Sequence, residues 1–99
     1  IANLDYLDGC ILGMHDLSGS INKLGEVFSV ENLTLAKKAI TAFTKANKSV
    51  GVSTYATDEK TLSLYRDMGI NIISTGADFD YVLKSGKRTF ETINKVFNK

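Results

Sequence analysis

The sequence predicts an α/β domain made of three successive βα units, and three observations carry that prediction. Three short apolar runs, at residues 7–12, 49–54 and 70–74, have the length of strands rather than helices. Each is followed by a stretch whose apolar residues return every three or four positions, as they do on one face of a helix. Glycine and serine gather at the junctions, where turns are needed. Alternation of this kind points to a parallel sheet with its helices packed across it.

The first run, residues 7–12, ends in Cys10, Ile11 and Leu12, wholly apolar as expected of a strand covered on both faces. Residues 13–28 then read as a long loop containing Gly13, Gly19 and Gly25. A loop of that length in a small domain suggests a functional one. Ser29 is a good N-cap for a helix, with Glu31 in its first turn. Leu33, Ala36, Ile40 and Phe43 form that helix's apolar stripe, and Lys37, Lys38 and Lys45 a solvated face. The second strand is residues 49–54, with Gly51 leaving room for a close neighbour. Thr57 is the expected cap of a second helix, which buries Leu62 and Tyr65 and stops at Gly69. A third strand at 70–74 leads through Gly76 to Asp78, expected to cap a last helix. That helix should break near Ser85-Gly86, its stronger half carrying Phe90, Ile93 and Phe97.

Bulk properties narrow the class. Ninety-nine residues make one small domain, near the lower limit for an independent core. A hydrophobic share of 43% and a charged share of 23% fit an ordinary globular chain, and a net charge of +1 gives no argument for nucleic acid. No apolar run approaches the roughly 20 residues of a membrane span, and the start is not a signal peptide. The lone Cys10 has no internal disulfide partner and reads as a small buried hydrophobe, so a cytoplasmic location is expected. The chain starts at Ile1 without an initiator methionine, as expected of a piece of a longer protein. Three parallel strands also leave two open edges and an uncovered face, so a homo-oligomer or the missing part of a larger fold is expected to complete them.

The residues that could carry chemistry follow the first strand. Asp16 comes just past its end, beside His15, the chain's single histidine. In βα sheets, ligands bind beyond the carboxyl ends of the strands, so an acid there is a candidate metal ligand or general base. The plainer alternative is that Asp16 caps its own turn. His15 could carry a proton or offer only its backbone amide. Ser18 could orient Asp16 or cap the turn. Ser53, near the end of the second strand, could line a pocket or merely terminate the strand. No phosphate-binding glycine pattern occurs.

The segment Asp8-Gly9-Cys10-Ile11-Leu12-Gly13-Met14-His15-Asp16-Leu17-Ser18-Gly19-Ser20 resembles the aspartate-glycine to aspartate-leucine-serine stretch of the HpcH/HpaI aldolase/citrate lyase family, class II metal-dependent pyruvate aldolases. The likeness continues through Gly51, Asp58 and Met68-Gly69 to Gly76-Ala77-Asp78, and covers about residues 3–84. It implies that residues 1–99 form a single partial domain, the C-terminal three βα units of a (β/α)8 TIM barrel, incomplete by itself. It implies part of a lyase that makes or breaks a carbon–carbon bond next to a 2-oxo acid such as pyruvate. By the same resemblance Asp16 is a ligand to Mg²⁺ or Mn²⁺, and Gly13, Met14, His15 and Asp16 meet the substrate, His15 through its backbone amide. Met14 stands where the family usually has proline. The family's second ligand, a glutamate, and its catalytic histidine and arginine lie upstream of this motif and have no match here. The catalytic residues are therefore unknown, and Arg66 and Arg88, in predicted helices, are not assigned the arginine's role. The isolated chain is expected to be inactive. The alternative is a non-catalytic βα module for assembly or small-molecule binding, with Phe90, Ile93 and Phe97 in subunit contacts.

Overall fold

The structure is a computed structural model that describes residues 1–98. Seven elements follow one another: β1 (Gly9–Leu12), α1 (Met14–Ser20), α2 (Val30–Lys45), β2 (Ser49–Thr54), α3 (Glu59–Met68), β3 (Ile72–Thr75) and α4 (Asp78–Phe97). The strands form one parallel sheet in the order β1-β2-β3. The expected βαβαβα order is therefore present, with one helix more than the sequence suggested.

Register decides which side chains share a face. Cys10 pairs with Val50, Leu12 with Val52, and Val52 with Ile73. Because side chains alternate along a strand, these residues point to one side of the sheet. Along β1 and β2 that side is the covered one, while in β3 it stays open, Ile73 being 41% exposed. Val50 and Val52 are 1% exposed and pack in a core with Ala36, Ile40 and Phe43 of α2, Tyr65 of α3, Met14 of α1 and Ile70. Each fully buried valine contributes about 1.5–3 kcal/mol relative to an exposed one. The other side presents Ile11, Gly51, Ser53, Ile72 and Ser74, and no helix among the described residues packs over it: Ile11 is 49% and Ile72 39% exposed, and Gly51 is buried only beneath those two side chains. The uncovered face expected of three parallel strands is thus real, and it is partly apolar.

Gly51 sits at the centre of that face. A Cβ there would lie 2.6 Å from both Ile11 Cδ1 and Ile72 Cβ, and 2.7 Å from the Ile72 carbonyl oxygen. Two neighbouring isoleucines lean across the gap a side chain would fill. At the start of β3, Asn71 extends the ladder: its amide donates to the Val50 carbonyl at 2.9 Å, and its Oδ1 accepts from the Val50 amide at 3.0 Å.

The caps match the sequence in part. Ser29 caps α2 by accepting the Asn32 amide at 3.2 Å, and α3 stops at Gly69 in a left-handed backbone with φ of 100°. The cap of α3 is Asp58 rather than Thr57: its carboxylate accepts the Thr61 amide at 3.0 Å and the Thr61 hydroxyl at 2.8 Å. Those two bonds hold the Asp58 carboxyl below the usual aspartate range. Asp78 is likewise not the N-cap of α4. Ala77 takes that position, and Asp80 accepts its amide at 2.9 Å while Asp78 stands in the first turn. Nor does α4 break at Gly86. One glycine costs a helix only about 1 kcal/mol relative to alanine, too little to interrupt 20 residues.

The largest departure is at residues 13–28, which are not one long loop: α1 occupies Met14–Ser20. Met14 and Ser18, four residues apart, are its buried positions. Burial of that stripe against α2 and the sheet holds a helix too short to form alone. None of the residues of α4 is buried, and the chain extends over 60 × 28 × 21 Å with a radius of gyration of 17.4 Å. A compact chain of this length would have about 13 Å. No helix among the described residues is long and apolar enough to cross a membrane.

Two outcomes test this packing. Gly51→Val should destabilise the fold by about 1–3 kcal/mol, read as a lower urea midpoint, because the strands must part to admit it. Asp58→Ala should lower the thermal midpoint at neutral pH. Since folding lowers this carboxyl's pKa, its stabilisation is present above the ordinary aspartate value and lost as pH falls through the lowered one, so wild type and variant should converge in acid.

Candidate functional site

The carboxyl end of β1 and the start of α1 bring the site residues to one turn. Leu12 ends the strand, Gly13 is the N-cap of α1 with φ of −82° and ψ of 91°, and Met14, His15 and Asp16 are the first three helical residues. Asp16 folds back over the turn: its Oδ2 lies 2.7 Å from where a Cβ on Gly13 would be. Gly13 therefore makes room for the carboxylate. Both residues are exposed. A carboxylate in the first turn of a helix is favoured by the backbone N–H groups there.

The other expected residues divide around this turn. His15 is exposed, while the Met14 side chain is buried in the core. Ser53 is exposed near the carboxyl end of β2. Met14, His15 and Ser53 line one pocket of about 270 Å³, together with Phe28, Tyr55 and Tyr65 among others. Gly13 and Asp16 sit at the adjoining turn and are not part of its wall. Ser18 goes elsewhere. It is fully buried, and its hydroxyl donates to the His15 carbonyl at 2.7 Å, one turn back along α1. Ser20 makes the same bond to Leu17 at 2.6 Å.

The donors that could hold a metal ion are few. Among the described residues, no three His, Cys, Asp or Glu side chains come together. The donors of these residues do not make a metal centre by themselves, and Asp16 stands as a single carboxylate on its turn. Mg²⁺ does use one or two carboxylates with water and substrate oxygens, so a further protein ligand would come from outside these residues.

The residue the sequence reading missed is Asn32. It is fully buried at the start of α2, and its Nδ2 donates to the Val27 carbonyl at 2.8 Å and to the Met14 carbonyl at 3.2 Å. One carboxamide thus ties the first residue of α1, and the turn before α2, to a rigid helix. A signal was present: Asn32 lies four residues before Ala36 and eight before Ile40, a polar side chain on the apolar stripe, where burial is costly unless partners are found. Its Nδ2 finds two, while its buried Oδ1 has none among the described residues. Phe28 and Tyr65 were missed as a pair. Their ring centroids are 6.1 Å apart at 40°, and burial pushes the Tyr65 phenol up from its ordinary pKa. Asn32→Ala should cost about 1–3 kcal/mol in urea unfolding, because it strands two carbonyls. The isosteric Asn32→Asp should not restore the loss, since a carboxylate cannot donate to either.

The sequence matches no protein-family model. It is 25% identical over 89 residues to the hydroxypyruvate/pyruvate aldolase of Roseovarius nubinhibens, a match spanning 90% of this chain and 34% of that protein. Its structure is similar to an HpcH/HpaI aldolase/citrate lyase family protein from Burkholderia cenocepacia, with a TM-score of 0.85 and 23% identity. It is also similar to an HpcH/HpaI aldolase from Desulfitobacterium hafniense, with a TM-score of 0.82 and 19% identity. In both comparisons 95% of this chain is matched to 36% of the other. The chain spans about a third of the length of the relatives it matches. Its structural neighbours are HpcH/HpaI aldolase/citrate lyase family proteins, and its three-stranded α/β fold is that of a segment of such an aldolase.

Proposed function

We propose that this chain is part of a metal-dependent aldolase or lyase that makes or breaks a carbon–carbon bond beside a 2-oxo acid. In this reading it forms the last three βα units of a (β/α)8 barrel. The observation that carries it is the placement of Asp16: an exposed carboxylate over the turn at the carboxyl end of a parallel strand, beside a pocket, in a segment similar to an aldolase. The pyruvate-type substrate is proposed from the likeness to the hydroxypyruvate/pyruvate aldolase of Roseovarius nubinhibens.

Chemistry follows from charge. Cleaving the bond next to a 2-oxo acid leaves an enolate, whose negative charge a nearby divalent cation stabilises. Asp16 would contribute one ligand to Mg²⁺ or Mn²⁺, a hard ion suited to oxygen donors. Gly13, Met14 and His15 would shape the turn against the 2-oxo acid, His15 through its backbone N–H. Ser53 would border the same space from β2. Ser18, bonded within α1, would keep that turn in shape rather than touch substrate. The uncovered face of the sheet, with Ile11 and Ile72, would be completed by the rest of the barrel or by another copy of the chain.

A second reading rests on α4. Phe79, Leu83, Phe90, Ile93 and Phe97 line one side of that helix and are exposed. A helix with such a stripe and no cover suits a βα module retained for assembly.

Calorimetric titration of Mn²⁺ into the purified chain, with and without pyruvate, tests the first reading. Binding that strengthens with pyruvate and disappears in Asp16→Ala is the expected result, with no aldol turnover by the chain alone. Absence of Mn²⁺ binding by a folded wild-type chain would sink it, and a metal-independent oligomer would then favour the assembly reading.

A further inference from the structure

The peptide that joins Met14 to His15 is held from two sides. The Met14 side chain is 2% exposed in the core. Its carbonyl accepts from Asn32 Nδ2 at 3.2 Å. Asn32 is itself well anchored: its amide is bonded to Ser29 Oγ at 3.2 Å, and the helix beyond it buries Ala36, Ile40 and Phe43. The same Nδ2 donates to the Val27 carbonyl at 2.8 Å. Two carbonyls call for a donor, so the amide end of the carboxamide faces them. Its Oδ1 is then left buried without a partner among the described residues. An unpaired buried acceptor is a cost to stability, so an apolar side chain would serve the core at least as well. What the carboxamide adds is direction.

A peptide unit is planar, and in its trans form the C=O and the N–H point opposite ways. No peptide among the described residues is cis. Holding the Met14 carbonyl therefore fixes the His15 N–H as well, sending it back toward the Gly13 end of α1, where Asp16 lies over the turn. We infer that Asn32 is a positioning residue: through the Met14 carbonyl it sets the direction in which the His15 amide donates to the carboxylate of a 2-oxo acid. This inference rests on the aldolase reading above, which places that N–H against the substrate. Asn32 is fully buried and touches no substrate itself. A donor already aimed at an anion holds it more tightly, because binding has no ordering left to do.

The test is titration of pyruvate into the isotope-labelled chain in saturating Mg²⁺, followed by amide chemical shifts. A saturable shift of the His15 amide is expected in the wild type. Asn32→Leu, which cannot donate, should bind pyruvate at least about tenfold more weakly, while its affinity for Mg²⁺ without pyruvate is unchanged. Asn32→Ala takes its place if the larger side chain prevents folding. Asp58→Ala, which loses stability at a distant cap, should leave both affinities as they are. A wild-type titration that shifts Asp16 and not His15 overturns the inference without any variant. Undiminished pyruvate affinity in a folded Asn32 variant also overturns it. So does loss of Mg²⁺ binding in step with pyruvate, the mark of a merely structural role. If neither Mg²⁺ nor pyruvate shifts any amide of residues 13–16, the aldolase reading falls and takes this inference with it.

Discussion

The constraint on which everything else depends is that a three-stranded parallel sheet is packed on one face only, and there along β1 and β2 rather than β3. Val50 and Val52 meet α2 and α3 and are almost completely shielded, while Ile11 and Ile72 on the other face are open. A parallel sheet is normally covered on both sides, because its connections carry helices across it and its strands are apolar throughout. Here Gly51 adds a second fact. The two isoleucines close over it on the uncovered face, an arrangement suited to packing against further apolar groups rather than against water. Shape agrees: α4 has no buried residue, and the chain is far longer than it is wide. In the same sense, 95% of this chain matches 36% of each of its structural neighbours.

That scaffold fixes where chemistry can sit. All three strands run the same way, so the turns after Leu12, Thr54 and Thr75 lie at one end of the sheet. The first is the best held. Met14 anchors it in the core from below, and the Asn32 carboxamide grips its carbonyl from α2. Asp16 is then free to lie outward over Gly13. The same carboxamide holds Val27, next to Phe28, so the turn and one wall of the neighbouring pocket are positioned by a single side chain. Rigid placement of a few polar groups is what a binding site needs from its scaffold.

Much of this was legible in the residues. The second strand has the expected bounds, Ser29 caps α2, and Gly69 ends α3, because each depends on local chemistry that a short stretch encodes. The helix at Met14–Ser20 was hidden because Gly13, Gly19 and Ser18 are poor helix formers; what holds it is tertiary, the burial of Met14 and Ser18. The apparent break at Gly86 failed for the opposite reason, since a single glycine is outweighed by the long amphipathic helix around it. The cap of α3 was placed at Thr57 although Asp58 is the better cap by type, and the carboxylate's bond to the Thr61 amide shows why. At the site, His15 and Ser53 could be named but not joined, because their meeting in one pocket depends on the pairing of β1 with β2. Asn32 was legible too, as a polar residue on the apolar stripe of α2, but its two carbonyl partners, Met14 and Val27, come together only in the fold.

The central claim is that this fold is completed by contacts beyond a single copy of these residues. Sedimentation velocity of the purified chain over a wide concentration range tests it most directly. The account predicts folded material sedimenting well above the 10.8 kDa monomer, as copies cover the Ile11–Ile72 face and the α4 stripe. A single folded species of 10.8 kDa at every concentration, with the β1 and β3 amides protected from exchange, would contradict it.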